Sequence, residues 1–134
     1  MDIAPPASVP AGKATILIVD DTPDNLKLLS SLLKDSYRVK VANNGRKALE
    51  IAAAFPPPDL ILLDVVMPEM DGYEVCAALK EAPGTRNIPV IFLTGRADEA
   101  DRERGFAMGA VDYIAKPVDP TAVLERVAAR IPAC

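Results

Sequence analysis

Leu60-Ile61-Leu62-Leu63-Asp64 sets four aliphatic residues in a row and then an acid. A continuous apolar run of this length fits a strand covered on both faces, and such strands belong to parallel sheets. Three more runs end in a residue suited to phosphate or metal chemistry. Ile16-Leu17-Ile18-Val19 stops at Asp20-Asp21, Val90-Ile91-Phe92-Leu93 at Thr94, and Tyr113-Ile114-Ala115 at Lys116-Pro117. In an open parallel sheet the carboxyl ends of the strands share one edge, where ligands of such folds bind. The pattern predicts three carboxylates, one hydroxyl and one ammonium converging at one place.

Helical patterns fill the gaps between these runs. Strands are expected at 15–19, 37–42, 59–64, 88–93 and 111–115. The second, Tyr37–Ala42, alternates Val39 and Val41 with charged residues, as an edge strand does. Thr22-Pro23 and Asp119-Pro120 read as a cap followed by proline at the first helical position, and Asn43 or Asn44 as the cap of the second helix. Expected inward faces are Leu26, Leu29, Leu32 and Leu33 on the first helix and Ala48, Ile51, Ala52 and Phe55 on the second. The third helix, after Asp71-Gly72, presents Val75, Ala78 and Leu79. A more charged fourth helix runs about 98–108 and ends at Gly109. The fifth offers Val123, Leu124, Val127, Ala128 and Ile131. Five strand–helix alternations predict a three-layer α/β domain, a doubly wound five-stranded parallel sheet of order 2-1-3-4-5 in the flavodoxin-like manner. That order sets the first and third strands side by side, so Asp20, Asp21 and Asp64 meet.

The 134 residues suit a single domain: half are apolar, a quarter are charged, and the net charge is −4. With no basic run, nucleic-acid binding by this domain is not expected. No apolar run approaches the ~20 residues of a membrane span. The two cysteines, Cys76 and Cys134, have no metal-ligand spacing and histidine is absent, which argues against zinc and against histidine-based chemistry within the chain. Free thiols suit a reducing cytoplasm, the expected location. Residues 1–13, with Pro5, Pro6 and Pro10, read as a flexible tail, 14–131 as the domain, and 132–134 as its C-terminal end.

Two unit charges at ~4 Å repel by about 4 kcal/mol at an effective dielectric near 20, so three clustered carboxylates need compensation. An all-oxygen donor set points to Mg²⁺, with Mn²⁺ as a substitute. Lys116 brings a mobile point charge and Thr94 a hydroxyl donor, which with a cation make a pocket for a phosphoryl group. Asp64, at the end of the central strand, is the best-placed nucleophile for an aspartyl phosphate.

With Met67-Pro68-Glu69-Met70-Asp71-Gly72 behind Asp64, the chain resembles the receiver domains of response regulators in two-component signalling, over about residues 14–131. The resemblance implies that Asp64 accepts a phosphoryl group from the phosphohistidine of a sensor histidine kinase or phosphotransfer protein. It implies that Asp21, Asp64 and the backbone carbonyl of Val66 ligate Mg²⁺ directly, and Asp20 through water. It also implies that Lys116 pairs with Asp64 and then with phosphate, and that Lys116-Pro117 is a cis bond. Thr94 would move inward on phosphorylation, Tyr113 would rotate into the vacated space, and the surface of the fourth helix, fifth strand and fifth helix would change for a partner. That partner is a downstream protein or a covalently linked output domain; a dimer through the same face is a further expectation. A stand-alone regulator is expected, the alternative being a receiver cut from a larger regulator or hybrid kinase.

Two other classes fit less well. An aspartyl-nucleophile, Mg²⁺-dependent phosphatase needs a second acid two residues past the nucleophile, where Val66 stands. A flavin carrier needs a phosphate loop after the first strand, where Asp20-Asp21-Thr22-Pro23-Asp24 would repel the flavin phosphate. Apart from small phosphodonors and its own phosphoaspartate, the domain is not expected to turn over a substrate. Val66 offers an attacking water no hydrogen-bond partner, which predicts a long-lived phosphoryl group. Arg96 is long and basic at another position near the site.

Overall fold

The computed structural model describes residues 13–95 and 99–131, without the side chains of 99–101. The tail up to residue 12, Arg96, Asp98 and residues 132–134 lie outside the described residues. Five strands, β1 (Thr15–Val19), β2 (Arg38–Ala42), β3 (Leu60–Asp64), β4 (Val90–Thr94) and β5 (Asp112–Ala115), alternate with five helices. These are α1 (Pro23–Leu33), α2 (Gly45–Ala53), α3 (Gly72–Glu81), α4 (Glu99–Ala107) and α5 (Pro120–Arg130). The sheet is parallel in the order β2-β1-β3-β4-β5. Strand register fixes the edge: Val19 lies beside Leu63, Asp64 beside Leu93, and Thr94 beside Ala115.

Alternation along each strand divides the core into two layers. Ile16, Ile18, Leu60, Leu62, Ile91, Leu93 and Ile114 pack with Leu29 and Leu33 of α1 and Val123 and Val127 of α5. Leu17, Val19, Ile61, Leu63, Val90 and Phe92 pack with Ala48 and Ala52 of α2 and Val75, Cys76 and Leu79 of α3. The Tyr37 hydroxyl donates to the Ile131 carbonyl at 2.9 Å, tying the end of α5 to the start of β2.

Three inward assignments change. Phe55 is 94 % exposed, because α2 ends at Ala53, before its helical stripe reaches residue 55. Leu124 and Ala128 are exposed, since the buried stripe of α5 is only as wide as Val123 and Val127. Thr22 and Asp119 stand at N-cap positions but make no side-chain cap. At Thr22 the need is already met: proline follows, and the Asn25 and Leu26 amides donate to the Thr22 carbonyl.

Asn44 does cap α2, its side chain accepting from the Lys47 amide at 2.8 Å, and Asp71 forms a reciprocal capping box with Glu74. Gly109 takes a φ of 103° just past α4, where a left-handed residue ends the helix. We expect Asn44→Ala to lower stability by about 1 kcal/mol and Thr22→Ala by much less, read from urea denaturation. Equal losses would contradict the assignment of the caps.

α4 differs from the other helices. It has no aliphatic stripe, and Gly105 is its buried residue among those described. A Cβ on Gly105 would lie 3.0 Å from the Phe92 ring, so the bare backbone rests on that ring. Phe106 stacks on Tyr113 (6.2 Å between centroids), Arg102 lies 5.2 Å from the Tyr113 ring centre, and Arg104 lies 4.0 Å from that of Tyr73.

Candidate functional site: an acidic pocket at the carboxyl edge of the sheet

Asp20 follows β1 and Asp64 ends β3, and because these strands are neighbours the two carboxylates face each other. Asp21 joins them: one oxygen from each of the three acids lies within 4.8 Å of the others. Asp20 and Asp64 are 0 % and 2 % exposed, whereas Asp21 is exposed. The first amides beyond the strands hold this geometry. Asp20 N–H donates to the Ala42 carbonyl, Val65 N–H to Leu93 and Lys116 N–H to Thr94, at 3.1, 3.1 and 2.7 Å.

Lys116 reaches into the cluster from the end of β5. Its Nζ donates to Asp64 Oδ1 at 2.9 Å and to Asp20 Oδ2 at 3.1 Å. The cis Lys116-Pro117 bond is present. Asp20 is further engaged: Oδ1 accepts from the Thr22 amide at 2.9 Å and Oδ2 from the Asn25 side chain at 3.2 Å. Sequence reading missed Asn25. The signal was its place in the first turn of the helix that follows the acid pair. Thr94 is 2 % exposed at the neighbouring strand end.

Burial sets the electrostatics. Asp64 is pushed up from 3.8 to about 6, first by desolvation, then held back by the hydrogen bond from Lys116, with Asp20 and Asp21 raising it further. For Lys116, burial pulls downward, but the hydrogen bond and attraction of Asp64, with help from Asp20, carry the net shift upward. The ammonium stays charged while neutralising only part of the cluster.

Val66 sits at the mouth of the site with its side chain 65 % exposed, and Met67 turns into the core. Tyr113 is buried, and its hydroxyl has no hydrogen-bond partner among the described residues. The expectation had the ring moving inward after phosphorylation. In this structure it already lies inward, covered by Phe106 and Arg102.

The sequence pattern of the response regulator receiver domain matches residues 16–128. The chain belongs to that family. The receiver is 53 % identical over 115 residues to the Vibrio cholerae protein named "Probable cyclic di-GMP phosphodiesterase", covering 86 % of this chain and 26 % of that one. It is 45 % identical to the response regulator PleD of Caulobacter vibrioides, covering 85 % and 25 %. The receiver thus spans about a quarter of the length of these curated relatives. Among solved structures it is similar to the chemotaxis protein CheY4 of Vibrio cholerae (TM-score 0.84, 30 % identity, 90 % of this chain and 100 % of that one). It is also similar to the receiver domain of the Pseudomonas aeruginosa sensor histidine kinase PA1611, solved with a magnesium ion coordinated in the active site cleft (TM-score 0.80, 30 % identity, 91 % and 100 %). Among the described residues of our receiver, no helix is long and apolar enough to cross a membrane.

The raised Asp64 has a direct consequence in EDTA-treated protein. A carboxyl whose folded pKa (about 6) exceeds its ordinary value (3.8) binds more protons folded than unfolded between those limits. Its contribution to stability is therefore full below about pH 4 and lost as pH rises through about 6. Asp64→Asn should remove that segment of the pH slope and stabilise the metal-free protein at pH 7, on the order of 2 kcal/mol. A variant no more stable than wild type in pH-resolved melts would contradict the assignment of Asp64 as the strained carboxylate.

Proposed function

We propose that Asp64 is the phosphoacceptor of a two-component or phosphorelay pathway. The observation that carries this reading is the buried, partly neutralised carboxylate with Lys116 Nζ at 2.9 Å and two further acids beside it. An Asp64 oxygen attacks the phosphorus of a phosphohistidine on a sensor kinase or phosphotransfer protein. The P–N bond breaks with its electron pair going to the imidazole, whose second nitrogen carries the proton that keeps the departing ring neutral. Lys116 then shifts from the carboxylate to a phosphoryl oxygen, and Thr94 donates its hydroxyl to another.

The donor set fits a hard divalent cation: three carboxylates within 4.8 Å and neither sulfur nor imidazole. Asp21 and Asp64, with the carbonyl of Val66, would hold Mg²⁺ or Mn²⁺. Asp20 would act through water, because both its oxygens already accept hydrogen bonds. When bound, the ion supplies charge neutralisation at the phosphoryl oxygens.

The same reading makes Tyr113 and Thr94 the switch and the face of α4, β5 and α5 its output. A groove of about 260 Å³ there is lined by Arg102, Tyr113, Pro117, Asp119 and Arg126 among others. A phosphoryl group that pulls Thr94 toward itself would favour the inward ring over an outward one. The partner is a protein: a linked output domain, a separate target, or a second copy using this face. Likeness to the Vibrio cholerae phosphodiesterase makes cyclic di-GMP turnover the first output to examine. The domain itself performs only self-phosphorylation from small donors and loss of its own phosphate, in the cytoplasm where kinase donors reside.

Intact-mass spectrometry after incubation with acetyl phosphate and Mg²⁺ tests the acceptor. The expected result is one added phosphoryl group, stable in acid, removed by hydroxylamine and absent from Asp64→Ala. An adduct that survives Asp64→Ala would overturn the assignment. Val66→Asn would give an attacking water a hydrogen-bond partner at the mouth of the site and should shorten the phosphoryl lifetime several-fold. Decay of the mass adduct at the wild-type rate would remove the role given to Val66.

A further inference from the structure

The first turn of α3 lies directly on the backbone that carries Asp64. The Gly72 amide donates to the Val65 carbonyl at 2.8 Å. A Cβ on Gly72 would overlap the Asp64 carbonyl oxygen and lie 2.8 Å from the Cα of Val65. These are main-chain atoms in a buried strand end, so they cannot yield as a flexible side chain would. Gly72 has a negative φ region open to any residue. The position needs the missing side chain, not the freedom of glycine.

The contact is braced from both sides. The Asp71 side chain accepts from the Glu74 amide at 2.9 Å, and Glu74 accepts from the Asp71 amide at 3.0 Å, so the turn is closed on itself. Behind it, Gly45 at the start of α2 allows Met70 and Val75 to approach: a Cβ there would lie 2.9 Å from the Met70 sulfur and 2.7 Å from Val75 Cγ2. The segment from Val65 to Gly72 is thereby clamped between the end of β3 and the starts of two helices.

We propose that Gly72 is a positioning residue, a backstop that sets where the Asp64 carboxylate and the Val66 carbonyl point. This rests on the reading of Asp64 as phosphoacceptor and extends it to a residue that touches neither cation nor phosphate. One methyl group at 72 must push α3 away from β3 or push residues 64–66 toward the pocket. Either displacement is several tenths of an ångström at the groups that bind and react, and sites of this kind lose activity on small misplacements.

The test measures Mg²⁺ affinity by calorimetry and the rate of adduct formation from acetyl phosphate, well below the melting temperature of each variant. Gly72→Ala should weaken Mg²⁺ binding and slow phosphorylation by about tenfold or more each, while the far-ultraviolet circular dichroism stays that of wild type. A purely structural role would lower the melting temperature and leave the Mg²⁺ affinity of the folded fraction unchanged; that result overturns the proposal. Gly84→Ala, with nothing within 4 Å of the added methyl, is the control and should match wild type. Should Gly72→Ala not fold, Asp71→Ala with Glu74→Ala loosens the same turn without adding an atom and should raise the Mg²⁺ dissociation constant several-fold; an unchanged constant overturns the proposal. Wild-type protein that neither binds Mg²⁺ nor gains phosphate overturns the acceptor reading and the backstop with it. Wild-type activity retained in Gly72→Ala overturns the backstop alone.

Discussion

Two carboxylates withdrawn from water at the end of an aliphatic sheet are the costly feature on which the rest of this structure depends. Asp20 and Asp64 are closed off by the strands that carry them, and Asp21 adds a third charge at the rim. Lys116 contributes one positive charge to three negative ones and divides its hydrogen bonds between the two buried acids. The cost is visible in Asp64, whose proton affinity is raised first by burial and then by the neighbouring acids, despite the ammonium beside it. A group under that strain is receptive to whatever brings positive charge, and a hard cation does so. The same imbalance that destabilises the pocket gives it chemistry.

Three rings of the core also hold α4. Tyr73 follows Gly72 and meets Phe92 edge-on at 5.2 Å; Phe92 lies two residues before Thr94; Tyr113 lies three before Lys116. α4 has no aliphatic face of its own and rests on these rings through Gly105, Phe106, Arg102 and Arg104. Cation–π contacts of this kind contribute about 0.5–1 kcal/mol at exposed sites, far less than a buried aliphatic stripe. Among the described residues the helix is thus docked by individually weak contacts to Phe92, Tyr73 and Tyr113, and Phe92 and Tyr113 lie two and three residues before Thr94 and Lys116.

What the sequence made legible follows from how each feature is encoded. Strand ends are local: an aliphatic run and the polar residue that stops it are adjacent, so Asp20, Asp64, Thr94 and Lys116 could be read directly. Their meeting requires only the strand order, which the alternation of runs and helices restricts. The Asn44 cap is local too. Thr22 and Asp119 look the same in sequence yet make no side-chain cap; at Thr22 the backbone carbonyl takes the Asn25 amide that a cap would serve. Contacts between distant segments left no local trace. In sequence Arg102 and Arg104 belong to a charged helix, and only the fold brings them over tyrosine rings. The role of Gly72 left none either, because the carbonyl it must not touch belongs to a residue eight positions earlier.

One architectural consequence concerns how such a domain can serve in proteins of very different size. The receiver spans about a quarter of two curated relatives, yet it also covers the whole of the CheY4 chain in structure. In this chain the acidic site and the ring contacts lie within one small unit. Asp64, the ring contacts and the α4–β5–α5 face all fall between residues 64 and 130, and the Tyr37 hydrogen bond to Ile131 closes the end of α5 against the start of β2. The surface of α4, β5 and α5 is thus supported by Tyr113 and the residues covering it, all inside the domain.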